Sequence, residues 1–412
     1  MTEYRSDLLS LLSARGYIHQ LTDAAGLDAL AAAQVVPGYI GFDATAPSLH
    51  VGSLVQIMLL RRMQQAGHKP IVVMGGGTTK VGDPSGKEES RQLLDDNGIA
   101  ANIASIRKVF ERFLSFGPDG QEGGETDAIM VDNADWLDAL EYVPFLRDVG
   151  RHFTINRMLT FDSVKLRLER EQPLTFLEFN YMILQAYDFF ELSQRNGCRL
   201  QLGGSDQWGN IVNGIELARR IDGTQLYGLT TPLITTADGA KMGKTAAGAV
   251  WLNSDALSAY DYWQFWRNTH DADVGRFLRL FTDLPLDEVT RLEALVGMEL
   301  NAAKKALADA ATAMAHGDDA AREAETTAHE TFAGGVGTNL PSLKVEGMTI
   351  ALVDALVGLG LSVSKGEAKR LIKGGGARVD GVAFIDVATV VTLGEASVRV
   401  SAGKKLHGVL TR

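Results

Sequence analysis

The chain has 412 residues, which at roughly 150 per domain predicts two to three domains, and its 45 % hydrophobic and 22 % charged composition excludes a disordered or collagen-like polymer. Its net charge of −11 argues against a protein coated in nucleic-acid-binding charge. The single cysteine, Cys198, cannot form an internal disulfide, and no apolar run reaches the roughly 18 residues that span a membrane. We therefore expect a soluble, cytoplasmic, multi-domain protein.

The first half of the chain alternates between strands and helices. In chain order, the pattern predicts strand 38–43, helix 49–66, strands 70–74 and 128–133, helix 176–194, strand 198–203, helix 206–220 and strand 227–235. Such alternation is typical of an α/β fold with a parallel sheet and right-handed crossovers.

After about residue 250 the predicted strands stop. Leu300, Ala303, Leu307, Ala310 and Met314 have helical spacing, which predicts an α-helical domain over 251–331. The glycine-rich start of residues 332–345 predicts a linker.

The C-terminal residues 346–412 carry nine Lys and Arg against six Asp and Glu, whereas the rest of the chain has a net charge of −14. Ser364 and Glu367 have the spacing of a capping box, and Asp380-Gly381 predicts a two-residue hairpin turn. On the helix between them, one basic stripe is formed by Lys365, Lys369, Arg370 and Lys373. The pattern suits a small α+β RNA-binding domain, and a merely solvated basic face is the alternative.

Three glycine-rich segments, 41–53, 75–87 and 237–245, lie near predicted strand ends, where ligands bind in open α/β sheets. None fits a P-loop, because the first glycine of that motif falls on Val81 or Asp238. A dinucleotide fingerprint also fails, because Lys80 occupies the place of its third glycine.

Taken together, these segments match a known family. His50-Val51-Gly52-Ser53 and Lys241-Met242-Gly243-Lys244-Thr245 resemble the HIGH and KMSKS signatures of class I aminoacyl-tRNA synthetases. Four further motifs, in the right order, resemble those of the bacterial tyrosyl enzymes: YIGFD at 39–43, GDPSGK at 82–87, YMILQAYD at 181–188 and GGSDQWGN at 203–210. The resemblance covers nearly the whole chain and implies a class I Rossmann-like catalytic domain.

The resemblance implies that the tyrosine carboxylate attacks the α-phosphate of ATP, and that the tyrosyl group of the adenylate then passes to the 3′ end of tRNA(Tyr). The substrates would be L-tyrosine, ATP with Mg²⁺ and tRNA, with no tightly bound cofactor and no protein-held metal. The residues implied to act on the phosphates are Thr45, His50, Lys241 and Lys244, with Lys87 and Arg91 opposite. The alternative for Lys87 and Arg91 is a solvated loop charge.

The remaining implied roles divide between the two small substrates. Tyr39 and Asp188 would meet the phenol hydroxyl, and the other tyrosine-binding residues would be Asp83, Tyr181, Gln185, Gln201 and Gln207. The ATP-binding residues would be Asp43, Gly52, Ser53, Gly204, Asp206, Lys244 and Thr245. The stripe Lys365, Lys369, Arg370 and Lys373 would bind tRNA.

The chain departs from the signatures at two positions. Ser53 replaces the second His of HIGH and is shorter, and Gly243 replaces the Ser of KMSKS, which removes a hydroxyl and is expected to loosen the loop.

We predict a catalytic domain over 1–235 with a dimerising insertion, a mobile loop over 236–250, the helical domain, the linker and the RNA-binding domain. Phe176 would lie in a homodimer interface, with core packing as the alternative. The rival functions are tryptophan activation and a non-catalytic RNA-binding role.

Overall fold

The computed structural model describes residues 3–82, 94–118, 123–239, 242–245, 248–332, 340–394, 397–403 and 406–412. Their contacts form two compact units. The first comprises Met1–Gly243, Trp251–Asn253 and His270–Val296, and the second comprises Lys244–Val250, Ser254–Thr269 and Gly297–Arg412. Residues 270–296, which the sequence places in the helical domain, therefore group with the first unit. The five-part division of the chain stays a prediction.

The described helices are α1 (Asp7–Arg15), α2 (Ala24–Ala33), α3 (Val51–Gln65), α4 (Gly76–Thr79), α5 (Asp96–Phe113), α6 (Ala134–Leu137), α7 (Tyr142–Asp148), α8 (Ile155–Met158), α9 (Asp162–Glu169), α10 (Phe176–Asn196), α11 (Trp208–Ile221), α12 (Ala259–Arg267), α13 (Val274–Phe281), α14 (Leu286–Glu293), α15 (Leu300–His316), α16 (Asp318–Phe332), α17 (Leu352–Gly358) and α18 (Lys365–Lys373). None of them is long and apolar enough to cross a bilayer.

The described strands are β1 (Gln20–Leu21), β2 (Pro37–Phe42), β3 (Lys69–Met74), β4 (Ile129–Asp132), β5 (Leu200–Gly204), β6 (Tyr227–Thr231), β7 (Lys244–Thr245), β8 (Gly248–Ala249), β9 (Ser342–Lys344), β10 (Thr349–Ala351), β11 (Ala377–Val379), β12 (Val382–Phe384), β13 (Val390–Thr392), β14 (Val398–Ala402) and β15 (Leu406–Thr411).

The first unit is built on a sheet with the strand order β1-β6-β5-β2-β3-β4. Strands β2 to β6 pair in parallel, and β1 adds an antiparallel edge to β6. The sheet centre is buried because β3, β5 and β6 are apolar or small along almost their whole length. The parallel α/β architecture predicted from the sequence is confirmed.

The predicted element boundaries are off by a few residues where local chemistry intervenes. The strand predicted over 227–235 ends at Thr231, because Pro232 has no N–H to continue the ladder. The helix predicted from residue 206 begins at Trp208, after a 3₁₀ turn over Ser205–Gln207. Helix α10 runs as predicted, from a capping box of Thr175 and Glu178 to Gly197 in the left-handed conformation.

Cys198 lies in the core beside β5, packed with Tyr39, Phe189 and Leu192. Burial raises the pKa of its thiol to about 12, so the side chain stays protonated.

The second unit contains the packed helices α12, α15 and α16 and the β-rich C-terminal region. Trp263 of α12 donates its indole N–H to Asp309 of α15 at 2.8 Å. The C-terminal sheet has the order β12-β11-β14-β15-β9, and helices α17 and α18 share its apolar core.

The C-terminal region forms the predicted hairpin. Asp380 and Gly381 both have positive φ, as a two-residue turn between β11 and β12 requires. Ser364 caps α18 as predicted, but the Glu367 carboxylate returns to the N–H of Val363 rather than to that of Ser364. Strand β9 pairs with β15 inside the segment assigned to the linker, whose residues 333–339 lie outside the described residues.

An ion pair between the buried Arg62 and the half-buried Asp283 joins α3 to the turn after α13 in the first unit. Arg62 is 1 % exposed, and its guanidinium lies 2.5 Å from a carboxylate oxygen of Asp283, which also pairs with Arg61. Burial alone would raise the pKa of Asp283, but the hydrogen bonds and charges of Arg61 and Arg62 lower it to about 2. The folded state therefore favours the ionised carboxylate.

Replacing Asp283 by Asn should destabilise the protein by about 3 kcal/mol at pH 7, because a buried arginine loses its counter-charge. Since the folded-state pKa lies below the unfolded value, this contribution is complete above about pH 4 and is lost as the pH falls towards 2. Urea unfolding of both proteins from pH 7 to pH 3 measures the difference. Asp287→Asn serves as the control, because Asp287 is exposed and its replacement should lower the free energy of unfolding by less than about 1 kcal/mol. A difference between Asp283→Asn and wild type that does not shrink below pH 4 would contradict the assignment.

Candidate active site

A cleft of about 660 Å³ opens at the carboxyl ends of the parallel strands of the first unit. Its walls come from the loops after β2, β3, β5 and β6, from the start of α3 and from one face of α10. The structure thus places the cleft where the sheet topology predicts a ligand site.

The sequence-predicted residues that line this cleft are Tyr39, Asp43, Thr45, His50, Gly52, Ser53, Tyr181, Gln185, Asp188, Gln201, Gly204, Asp206 and Gln207. Asp83, Lys87, Arg91 and Lys241 lie outside the described residues. Lys244 and Thr245 form β7 of the second unit, and only their backbone is described. The basic stripe lies on α18 of the second unit.

Tyr39 and Asp188 form the floor of the cleft. Tyr39 is 2 % exposed, and within the described residues its hydroxyl has no hydrogen-bond partner. Burial raises the pKa of Tyr39, and the neighbouring charge of Asp188 raises it further. A buried, unpaired hydroxyl beside a carboxylate is costly unless a ligand completes the hydrogen bonds.

Asp188 is held by two neutral donors. Trp136 donates its indole N–H at 2.7 Å, and Asn133 donates its amide N–H at 3.0 Å. Burial raises the pKa of Asp188 to about 7, although these two hydrogen bonds favour the charged form. The floor therefore holds a carboxylate that changes charge near neutral pH.

Sequence reasoning did not find Asn133 and Trp136. Asn133 is 1 % exposed and directly follows β4, and its amide oxygen accepts the N–H of Gly77 at 2.9 Å. It thus connects the start of α4 with Asp188. A polar residue at the carboxyl end of the strand predicted over 128–133 was the available signal, whereas nothing in the sequence marks Trp136.

One face of α10 carries Tyr181, Gln185 and Asp188 into the cleft, as their spacing predicts. The Gln185 amide N–H donates to the Gln207 amide oxygen at 3.3 Å, which also accepts from Asn210 at 3.0 Å. The amide oxygens of Gln185 and Gln201 are buried without a partner among the described residues. They are acceptors available to a ligand ammonium group.

His50 caps the start of α3. Its Nδ1 accepts the backbone N–H of Gly52 at 2.9 Å, so the proton of the neutral ring is on Nε2. The Trp251 ring lies edge-on at 6.2 Å between centroids. An N–H donor at a helix N-terminus suits a phosphate oxygen.

The two departures from the signatures lie close to His50. Ser53 lines the cleft, and its backbone N–H donates to the His50 carbonyl at 2.8 Å. Gly243 has a φ of +89°, and a Cβ there would lie 2.6 Å from the nitrogen of Gly52. Besides removing a hydroxyl, glycine at 243 thus permits a close backbone approach that no other residue allows.

Among the residues that the structure describes, no group of three or more His, Cys, Asp or Glu side chains is placed to hold a metal ion.

The family model for class I tRNA synthetases (W and Y) matches residues 34–333, so the chain belongs to this family. The protein of Novosphingobium aromaticivorans called tyrosine–tRNA ligase is 69 % identical over the full length of both chains. The tyrosine–tRNA ligase of Zymomonas mobilis subsp. mobilis is 67 % identical, over 100 % of this chain and 99 % of its own.

Among solved structures, a C-terminally truncated mitochondrial tyrosyl-tRNA synthetase of Aspergillus nidulans superposes with a TM-score of 0.70 at 30 % identity. The match covers 79 % of this chain and 94 % of that one.

Replacing Trp136 by Phe removes one donor to Asp188 and should raise the pKa of that carboxyl above about 7. The lost bond to a charged acceptor is worth about 1.5–3 kcal/mol, and the bond to the neutral acid about 0.5–1.5 kcal/mol. The free energy of unfolding should therefore fall more at pH 9 than at pH 6. Denaturant unfolding at both values measures this difference.

The loss of indole packing does not depend on pH, so only the hydrogen bond contributes to the difference between the two pH values. In an Asp188→Asn background, Trp136→Phe should cost the same at both. Equal costs in the presence of Asp188 would show that the indole does not hold a titrating carboxylate.

Proposed function

We propose that the chain activates L-tyrosine with ATP and transfers the tyrosyl group to the 3′ end of tRNA(Tyr). The observation that carries the proposal is the floor, where the buried Tyr39 hydroxyl faces a cleft beside the Asp188 carboxylate. A phenol hydroxyl can donate to Asp188 and accept from Tyr39 at once. Membership of the synthetase family and the names of the relatives support the reaction.

The floor also distinguishes tyrosine from its closest competitors. An indole N–H can donate to Asp188 but cannot accept from Tyr39, and phenylalanine can do neither. A site built to bond a hydroxyl rejects the analogue that lacks it, because its own buried groups stay unpaired; tyrosyl-tRNA synthetases are themselves the familiar example of this effect.

In this proposal the rest of the cleft binds the reacting groups. The ammonium group of tyrosine meets Tyr181, Gln185 and Gln201, together with Asp83. Asp206 and Gln207, which follow β5, bind the tyrosine carboxylate and the ribose hydroxyls of ATP. The other residues that contact the adenosine part of ATP are Asp43, Gly52, Ser53 and Gly204. No covalent enzyme intermediate is needed, so the protein contributes positioning and charge stabilisation.

The leaving pyrophosphate lies at the start of α3, where His50 offers its Nε2–H and Thr45 its hydroxyl. Lys241 and Lys244 supply positive charge to the phosphates, with Lys87 and Arg91 as further cations, and Thr245 contributes to ATP binding. Mg²⁺ enters with ATP, held mainly by phosphate oxygens and water.

The tail, residues 346–412, binds tRNA through its basic stripe. Lys365, Lys369, Arg370 and Lys373 are exposed on α18, in a chain that is otherwise acidic. Lys365 lies 2.7 Å from the carboxylate of Asp354, which leaves the stripe strongest at its last three members. A reducing, cytoplasmic location follows from a role in translation.

We propose further that the protein is a homodimer. Large apolar side chains between residues 142 and 177 are exposed, among them Tyr142, Val143 and Phe176, at 62 %, 72 % and 68 %. Exposure of Phe176 excludes core packing within this chain. A concentration of exposed apolar side chains of this kind is typical of a protein interface.

The proposal is tested by tyrosine-dependent exchange of pyrophosphate into ATP, with tyrosine, phenylalanine and tryptophan compared as substrates. Tyr39→Phe should cost about 0.5–1.5 kcal/mol of tyrosine activation, as it removes a neutral hydrogen bond. Asp188→Asn should cost about 1.5–3 kcal/mol, since a charged acceptor becomes an amide. Both variants should lose kcat/KM for tyrosine faster than for phenylalanine.

An unchanged tyrosine-to-phenylalanine ratio in both variants would remove the pair from substrate recognition. A wild-type preference for tryptophan would refute the tyrosine assignment, and no activity with any amino acid would favour the RNA-binding alternative.

A second test addresses the tail. Lys369→Glu with Lys373→Glu should weaken tRNA binding and flatten its salt dependence, because phosphate contacts are lost, while pyrophosphate exchange stays at the wild-type rate. The matched control is Lys108→Glu with Arg112→Glu, two exposed cations with the same spacing on α5. Equal weakening by the control pair would assign the effect to net charge alone.

A further inference from the structure

The loop 43–50, which joins β2 to α3, has no regular secondary structure up to His50, yet it carries both Thr45 and His50 into the cleft. Such a loop keeps its shape only if its buried backbone groups find partners elsewhere. In the first unit these partners are the side chains of Thr79, Asn102 and Asn253 and the backbone of residues 252–253, none of which lines the cleft.

The first anchor lies at Ala44, immediately before Thr45. Ala44 is completely buried; its N–H donates to the Thr79 hydroxyl at 3.0 Å, and its carbonyl accepts the Asn102 amide N–H at 2.8 Å. The backbone N–H and C=O of Ala44 are thus both held by side chains, one from α4 and one from α5.

The second anchor lies at Ser48 and Leu49, immediately before His50. The Ser48 hydroxyl is buried, 2.9 Å from the amide oxygen of Asn253, and accepts the Asn253 backbone N–H at 3.3 Å. The Leu49 carbonyl accepts the N–H of Leu252 at 2.9 Å. Asn253 in turn donates its side-chain N–H to the Ser105 hydroxyl at 3.2 Å.

Both anchors therefore lead to α5. Asn102 and Ser105 are three residues apart, so they lie on the same helix face one turn from each other. Neither lines the cleft. One face of α5 therefore supports the loop at both ends. Asn102 bonds the start of the loop directly, and Ser105 supports its end through Asn253.

We propose that Asn102 and Ser105 are positioning residues for the first chemical step, holding the 43–50 loop so that Thr45 and His50 meet the phosphates of ATP. The inference rests on the proposed function of the cleft. It predicts that loss of this support slows the reaction with ATP but leaves tyrosine binding unchanged. The reason is that the Tyr39–Asp188 floor has no hydrogen bond to this loop among the described contacts.

The test uses the full-length protein. Asn102→Ala should lower kcat for tyrosine-dependent pyrophosphate exchange by between about 10- and 100-fold, the scale for a slightly misplaced catalytic group. The dissociation constant for tyrosine, measured by calorimetry without ATP, should stay within about two-fold of wild type. A merely structural defect would change both.

Two matched substitutions separate hydrogen bonding from packing. Asn102→Asp keeps the shape of the side chain but places an acceptor against the Ala44 carbonyl, so it should be at least as harmful as Asn102→Ala. Ser105→Thr keeps the hydroxyl and should retain activity that Ser105→Ala loses. Asn97→Ala, an exposed asparagine on the first turn of α5, should behave as wild type.

An unchanged kcat in Asn102→Ala, or a tyrosine affinity that falls in proportion to kcat, would overturn the positioning role. The absence of tyrosine-dependent exchange in the wild-type protein would instead refute the proposed function, so the two failures are distinguishable.

Discussion

At the floor of the cleft, the Asp188 carboxylate is buried and held by the neutral side chains of Asn133 and Trp136. These three residues come from α10, from the end of β4 and from α6, so the site exists only when the parallel sheet and its covering helices are assembled. Because neither of these two described donors is a cation, burial keeps the pKa of Asp188 near 7. A further donor supplied by a ligand hydroxyl would relieve this cost.

The opposite side of the cleft has the reverse electrostatic character. There the positive end of the α3 helix dipole lies at the cleft, and His50, whose Nδ1 accepts the Gly52 N–H, presents its Nε2–H. A carboxylate at one end and a helix N-terminus at the other orient a ligand that has a neutral hydroxyl at one end and phosphates at the other. In the proposed function, this polarity allows the cleft to hold tyrosine and ATP in one orientation only.

Much of this arrangement could be predicted from the sequence. Apolar runs bounded by glycine predict the strands within a few residues, and the spacing of Tyr181, Gln185 and Asp188 predicts the face of α10 that enters the cleft. These features depend on local periodicity. The type of the 380–381 turn is also local, because Asp-Gly favours positive φ at both positions.

The supporting residues could not be predicted, because their roles depend on contacts between distant segments. Trp136 and Asp188 are 52 residues apart, and Ser48 and Asn253 are 205 apart. No periodicity connects such pairs. Gly243 is a related case, since its close approach to Gly52 requires a loop end to pack against a helix start.

The pH dependence of amino-acid binding tests the central claim, that Asp188 receives a phenol hydroxyl, most directly. Above pH 7 the ionised carboxylate should bind tyrosine more tightly and phenylalanine, which leaves it without a donor, less tightly. The ratio of the two dissociation constants, measured by calorimetry at pH 6 and pH 8, should therefore shift towards tyrosine as the pH rises, and Asp188→Asn should abolish the shift. A ratio that is the same at both pH values in the wild-type protein, or a shift that persists in Asp188→Asn, would contradict this account.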